Sequence, residues 1–368
     1  MKNLRIIISG GGTGGHIFPA ISIANTIKER YPDASILFVG ADGRMEMEKV
    51  PAAGYDIIGI EISGINRKNI LKAFSALWKF VKSLNKAKKI LKDFRPDIVI
   101  GVGGYASAPV LYKANSMQIP TLIQEQNSYA GVTNKFLAKK ASKICVAYEG
   151  MEAFFPKDRI VMTGNPCRQE LLSSTITKEE AYKEFNLDPS KKTILIIGGS
   201  LGARTINKSL LANLDKLINS DIQVMWQCGK LYSFELNMDV ASKGNPKNIH
   251  LHEFITRMDL AYKVADLVIS RAGASSISEL CLLGKPVILI PSPNVAEDHQ
   301  TKNAMALVNK NAAILIKDSD AMIDLVPVAL ETIKNKERLK TLSDNILNLA
   351  QPDSANRIVD EVMKLMKK

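Results

Sequence analysis

Cysteine is scarce in this 368-residue chain. The four present, Cys145, Cys167, Cys228 and Cys281, are widely spaced and form no C-x-x-C. That excludes a disulfide framework and a thiolate zinc site and makes a reducing cytoplasm the expected setting. No apolar run approaches the roughly 20 residues a spanning helix needs. The opening "MKNLRIIISGGG" has too short an apolar core for a secretory signal and runs into glycine, so it reads as a first β-strand. Aromatics make up 6% of the chain, with two tryptophans, and no stacked-aromatic RNA-binding signature is visible. Acid is missing between Arg67 and Lys92, where nine Lys/Arg stand alone and supply most of the net charge of +12.

What is present is alternation. The chain is too long for one ordinary core, so two domains are expected. Short β-type runs alternate with helical patterns, which argues for parallel α/β units. The first series is "RIIIS" (5–9), "SILFV" (35–39), "DIVIG" (97–101), "TLIQ" (121–124), "KICVA" (143–147) and "RIVMT" (159–163). The turn-rich "GNPCR" follows, and then Thr177 and Glu180 at capping-box spacing. The second series is "TILIIG" (193–198), "IQVMW" (222–226), "NIHLH" (248–252), "DLVIS" (266–270), "PVILI" (286–290) and "AAILI" (312–316). Each half opens as strand, glycine loop, helix. The expected fold class is α/β, with two tandem Rossmann-like domains of residues 1–165 and 166–351. Ligands of such sheets bind beyond the C-terminal strand ends, and a cleft between the domains is the expected site.

Gly10-Gly11-Gly12-Thr13-Gly14-Gly15 fits G-x-G-x-x-G between a strand and a helix. Glycine lets the backbone approach a phosphate, and the helix start adds partial positive charge. A dinucleotide site also wants an acid at the end of the second strand. Here Asp42 comes late, which weakens that reading. "GVGGYASAP" (101–109) and "GGSLGAR" (198–204) are further glycine loops after strands. In "ISRAGASSISE" (269–279) the N–H groups of Ala274 to Ser276 are placed for a diphosphate, and Glu279, a turn later, for ribose hydroxyls. The alternative is an ordinary serine cap supported by glutamate.

Of the four histidines, only His16 lies on a glycine loop at a strand end, and imidazole there suits a general base. His250 and His252 alternate along one strand with no third ligand evident, and read as a polar strand face. His299 sits in a polar stretch where it can meet a ligand. Glu125 and Asn127, in "IQEQNSYAG", face the expected cleft. Asp318 and Asp320 spell D-x-D, here read as a solvated loop, and no metal is expected.

Residues 66–94 place Ile70, Phe74, Leu77, Val81 and Leu84 at helical spacing, with Trp78 beside them and Lys72, Lys79 and Lys82 around the stripe. Three readings stand: a core-facing helix with a solvated back, an anionic membrane surface, and nucleic acid. Each Lys/Arg near lipid contributes about 1 kcal/mol, so half of the nine would supply roughly 4–5 kcal/mol.

"GGTGGH", "GVGGYAS", "EQN…AG.TNK", "GNPCR", "GGSLGAR", "EFI", "SRAGASSISE" and "DHQTKNA" occur in this order across most of the chain. The set resembles glycosyltransferase family 28, the bacterial peptidoglycan glycosyltransferases of the GT-B fold. The resemblance implies inverting transfer of N-acetylglucosamine from UDP-N-acetylglucosamine (UDP-GlcNAc) to lipid I, the undecaprenyl-diphosphate-linked muramoyl-pentapeptide, giving lipid II. It implies no cofactor and no catalytic metal. It places the chain as a peripheral protein on the cytoplasmic face of the membrane, bound to anionic lipid and not to nucleic acid, among cell-wall synthesis and division proteins. His16 is then the base. Thr13, Gly14, Gly15, Asn127, Arg168, Ser200, Ile255, Ala274, Ser275, Ser276, Ile277, Ser278, Glu279 and Gln300 match donor-binding positions. Glu279 would hold ribose, Ile255 would offer backbone groups to uracil, and Asn127 and Gln300 would meet the sugar. Gly103, Gly104, Tyr105 and Glu125 fall on the acceptor side, the last helix (352–368) returns to the first domain, and the basic stretch becomes the membrane face. The chain departs from the family pattern in two places. Gln124 stands where some members have histidine, and Leu201 where glutamine is frequent.

Overall fold

The structure is a computed structural model and describes residues 4–62, 70–168, 171, 175–199 and 201–366. The chain forms two compact units, Met1–Cys167 with Gln351–Lys368, and Arg168–Ala350. The boundary expected at 165/166 falls two residues earlier than this division.

Among the described residues the first unit carries seven strands: β1 (Arg5–Ser9), β2 (Ser35–Ala41), β3 (Asp56–Ile60), β4 (Ile98–Gly101), β5 (Thr121–Glu125), β6 (Lys143–Val146) and β7 (Ile160–Met162). All pair in parallel, in the order β3-β2-β1-β4-β5-β6-β7. The second unit repeats the plan with β8 (Lys192–Ile197), β9 (Ile222–Gln227), β10 (Ile249–His252), β11 (Leu267–Ser270), β12 (Val287–Leu289) and β13 (Ile314–Leu315), in the order β10-β9-β8-β11-β12-β13. In each sheet the strand order reverses beside the opening strand, between β1 and β4 and between β8 and β11. Such a switch point leaves a crevice beyond the strand ends.

Continuous apolar strands follow from sheets covered on both faces. Ile6 and Ile8 pack with Ile23, Ile27, Ile358, Val359 and Val362, and Ile7 packs on the opposite face with Leu91, Val99 and Leu111. Full burial of each such side chain stabilises by about 1.5–3 kcal/mol. The closing helix Ser354–Met366 buries Ala355, Ile358, Val359 and Val362, a stripe at three- and four-residue spacing. It packs on the helix Gly14–Arg30 and on β4, and Asp360 meets Arg30 at 2.7 Å, so it belongs to the first unit.

One strand was not anticipated. β3 is an edge strand of five residues, and its apolar run is broken by Gly59, where a Cβ would meet Asp42 Oδ1 at 1.8 Å. Thr177 caps the helix Lys178–Glu184 as its spacing predicts: Glu180 N–H donates to Thr177 Oγ1 at 3.2 Å, and Thr177 N–H donates to Glu180 Oε2 at 2.7 Å.

Candidate active site

In the first unit the loop leaving β1 meets the loop leaving β4. Gly11 N–H donates to Gly103 O at 3.3 Å, and a Cβ at Gly104 would stand 2.3 Å from Gly11 O. Gly103 and Gly104 both have left-handed φ, +92° and +84°, so glycine is required for this approach. Thr13 precedes the helix Gly14–Arg30 without its side chain capping it, so the Thr13 hydroxyl leaves the first N–H groups of that helix unoccupied.

His16 is the third residue of that helix. Its Nδ1 lies 3.0 Å from Gly11 O and 3.2 Å from Thr13 Oγ1. An Nδ1 proton donated to the carbonyl leaves Nε2 as the basic nitrogen. A Cβ at Gly103 would sit 3.0 Å from Nε2, so the two glycine loops and the imidazole share one small space. Tyr105, on the second loop, is 58% exposed and so accessible to a ligand.

Glu125, at the end of β5, does not face solvent. It is 2% exposed and accepts from Asn127 N (3.1 Å), Asn127 Nδ2 (3.3 Å), Gly131 N (3.0 Å) and Asn134 Nδ2 (2.9 Å). It organises the loop that presents Asn127. Beneath it, Gln124 Nε2 donates to Asn165 Oδ1 at 2.9 Å, and Asn165 Nδ2 donates to Gln126 O at 3.0 Å. Gln124 therefore fills its place in the motif as a member of a buried amide network.

In the second unit the helix Ala274–Leu282 starts beyond β11 behind Gly273, again with no side-chain cap and no acid in its first turn. This departs from the serine-cap alternative. Ser275 Oγ is buried without a hydrogen-bond partner among the described residues, while Ser278 Oγ returns to Ala274 O at 3.0 Å. Ser276 lies in the same first turn, and Ile277 is buried on the core side. Glu279, 7% exposed, takes Arg168 Nε and Nη2 at 2.8 and 2.9 Å and Tyr262 Oη at 3.3 Å. Gln300 Oε1 accepts Ala272 N–H at 3.2 Å and Ser292 N–H at 2.9 Å, tying the loops after β11 and β12 together. Gln227 Oε1 accepts the Ile255 N–H at 3.1 Å, and its Nε2 donates to Gly199 O at 3.2 Å. The N–H expected to serve a base is thus already engaged. Ser200 lies outside the described residues.

Asp318 is not a solvated loop residue: it pairs with Arg271 and accepts from Thr205 Oγ1 at 2.8 Å, with 19% side-chain exposure. Among the described residues no three His, Cys, Asp or Glu side chains gather as a metal would need. His250 and His252 are half-buried rather than a plain polar face. Burial pushes both imidazoles below their ordinary pKa, and His252 stacks edge-on against Phe185. In the basic helix Ile70–Phe94, Trp78 and Val81 are 71% and 52% exposed, which a wholly core-facing helix would not allow. Lys82 pairs with Glu61 at 2.9 Å, so the fold brings an acid to a stretch that has none in sequence. The side chains of Ile70, Lys72, Phe74, Leu77 and Lys79 lie outside the described residues.

Glu46, Gln227 and Tyr262 stand outside the sequence reading, and Asn134 enters it only inside the "TNK" motif, without a role. Glu46 and Gln227 reach glycine loops from elsewhere in the chain, at Gly12 N–H and Gly199 O, while Asn134 reaches Glu125 and Tyr262 reaches Glu279.

Comparison with known proteins is consistent across the whole length. Residues 6–146 match the glycosyltransferase family 28 N-terminal domain and residues 193–358 its C-terminal domain. The chain is 63% identical over 369 residues to a protein of Parabacteroides distasonis, covering 100% of both. It is 64% identical over 367 residues to one of Phocaeicola vulgatus, covering 100% of this chain and 98% of that one. Both relatives are named UDP-N-acetylglucosamine--N-acetylmuramyl-(pentapeptide) pyrophosphoryl-undecaprenol N-acetylglucosamine transferase. Among solved structures, Acinetobacter baumannii MurG superposes with a TM-score of 0.80 at 28% identity, covering 98% of this chain and 99% of that one.

Proposed function

The chain belongs to glycosyltransferase family 28, and from that premise we propose that it transfers N-acetylglucosamine from UDP-GlcNAc to lipid I, forming lipid II. The observation that carries this reading is the full-length identity of 63% to a relative named for that transfer. The geometry supplies parts that suit it. Each unit presents an uncapped helix start at its switch point, a place for phosphate.

In the reaction the acceptor hydroxyl oxygen attacks the anomeric carbon as the bond to the diphosphate breaks. The leaving UDP takes the electron pair, and the hydroxyl proton passes to a base on the opposite face. His16 is that base: its Nδ1 faces Gly11 O at 3.0 Å, so Nε2 receives the proton. The N–H groups at the start of Ala274–Leu282, with the Ser275 hydroxyl, stabilise the departing diphosphate in place of a metal. Arg168 and Glu279 hold the donor's ribose–diphosphate end, and Asn127 and Gln300 its sugar. The first two glycine loops, after β1 and after β4 with Gly103, Gly104 and Tyr105, take the acceptor diphosphate. No bound metal or cofactor takes part.

No described helix is long and apolar enough to cross a membrane. The exposed Trp78 and Val81 beside lysine favour peripheral docking on anionic lipid at the cytoplasmic face, where the acceptor is embedded and other cell-wall and division proteins assemble.

The test is transfer of labelled N-acetylglucosamine from its UDP-sugar to a short-chain lipid I analogue with EDTA present. Product is expected. UDP-sugar binding without transfer would point to a different acceptor. Loss of transfer on EDTA addition, restored by a divalent cation, would overturn metal independence.

A further inference from the structure

We propose that Glu46 is a positioning residue for the transfer, holding the glycine loop in the shape that orients His16. The proposal rests on the reading of His16 as the base.

Glu46 opens the helix Glu46–Ala52 that follows β2, and its side chain reaches the loop that leaves β1. It is 1% exposed, and both carboxylate oxygens are used: Oε2 accepts Gly12 N–H at 2.9 Å and Oε1 accepts Ala41 N–H at 3.0 Å. A buried carboxylate is costly unless its oxygens are bonded, so the loop and the strand end are tied to it. Two glycines make room for it. A Cβ at Gly11 would stand 2.2 Å from Glu46 Oε1, and a Cβ at Gly40 would stand 2.5 Å from its Cγ. Gly11 also has φ +147°, which other residues rarely adopt.

The chain of contacts is short. Glu46 grips Gly12 N–H. The preceding residue, Gly11, points its carbonyl at His16 Nδ1, 3.0 Å away. That carbonyl accepts only the Nδ1–H tautomer, which keeps the basic lone pair on Nε2. Without the grip the Gly11–Gly12 segment keeps only the Gly11 N–H tie to Gly103 O, so the Gly11 carbonyl gains freedom to turn and the ring angle and tautomer are loosened.

The experiment compares Glu46→Gln with the native protein. The amide keeps the volume but can accept from only one of the two N–H groups, and it turns a donor toward the other. Four quantities are read on the full chain: kcat and KM for UDP-GlcNAc, UDP affinity by calorimetry, and the His16 tautomer from imidazole nitrogen NMR. The chain has four histidines, and His16→Ala assigns the signal. The expected result is a fall in kcat of roughly 10- to 100-fold, the scale of a misplaced catalytic group. KM and UDP affinity should be largely kept, and the His16 signal should move from Nδ1–H toward a tautomer mixture. Glu46→Asp, which keeps the charge but shortens the reach, should give the same changes in weaker form and replaces the amide if that variant fails to fold. An unchanged His16 signal in a folded variant overturns the proposal, as does a shifted signal with native kcat. His16→Ala separates the two readings: if it stays active, the base assignment falls and takes this proposal with it. If it is inactive while Glu46→Gln turns over normally, only the proposal falls.

Discussion

Arg168 closes on Glu279 through a two-pronged contact, Nε to Oε1 at 2.8 Å and Nη2 to Oε2 at 2.9 Å, with the carboxylate buried and the guanidinium 42% exposed. The fork is specific to arginine, since lysine offers a single point of charge. Tyr262 completes the set by donating to Oε2 at 3.3 Å. Glu279 is thus oriented before any ligand arrives. Arg168→Lys should raise KM for UDP-GlcNAc about tenfold, equivalent to about 1.4 kcal/mol. Arg168→Ala, which strands a buried carboxylate, should also cost about 1–2 kcal/mol of stability. Calorimetric UDP titration and urea unfolding check the two halves separately. Native donor affinity in Arg168→Ala would remove both residues from the donor site.

His16→Ala should lower kcat by roughly 10²–10⁴, the usual contribution of a positioned base, and leave UDP affinity in place. Gly11 O and Thr13 Oγ1, which its Nδ1 meets, belong to the loop itself, and Gly11 N–H and Gly12 N–H stay tied to Gly103 O and Glu46 when the ring is lost. Steady-state transfer and UDP calorimetry on the same preparation decide it. An unchanged rate would return His16 to a structural role.

The places of the glycine loops, of His16 and of the Ala274–Glu279 turn between strand and helix are legible in the sequence because each is a local pattern: strand, glycine, helix start. So is the Thr177–Glu180 cap, whose two hydrogen bonds span three residues. Glu46 is not legible. Nothing in "GRMEMEKVP" separates it from Glu48, and only the packing buries one while leaving the other's side chain 79% exposed. Asp318 misled for the same reason in reverse, since its partners Arg271 and Thr205 are 47 and 113 residues away. β3 was missed because its apolar run is short and interrupted by Gly59, while its place is set by pairing with β2. Local chemistry shows in sequence, whereas a role created by a distant neighbour does not.

Burial holds the imidazoles of His250 and His252 below their ordinary pKa of 6.5, and for His252 the nearby His250 adds to the effect. The unfolded chain therefore binds protons at these sites at pH values where the folded chain does not. Stability should be full above about pH 6.5, fall as the pH drops below it, and level off beneath the folded pKa values. Urea midpoints at pH 8 and pH 5.5 measure the drop. His252→Gln should reduce it and leave the His250 share, because the replacement carries no titrating group in either state. An unaltered slope in that variant would assign the acid sensitivity to other groups.

Lys82 and Glu61 make a contact that both can leave at little cost. They lie 2.9 Å apart with side chains 60% and 47% exposed, and such surface pairs contribute about 0–1 kcal/mol. Glu61 nevertheless cancels a charge on the face proposed to meet anionic lipid. Glu61→Gln should strengthen sedimentation with vesicles containing anionic lipid by several-fold, because one more lysine contributes about 1 kcal/mol near the surface. Vesicles of neutral lipid should show no such gain, and added salt should erase it. Trp78, 71% exposed, acts by a different force. Its truncation to alanine should weaken binding to both vesicle types by about tenfold, the equivalent of roughly 1.5 kcal/mol of lost apolar burial, and salt should not mask the loss. The two variants thus separate charge from insertion on one helix. If neither changes vesicle binding, the lysine-rich face of Ile70–Phe94 is a solvated surface and the membrane contact must be sought on another part of the chain.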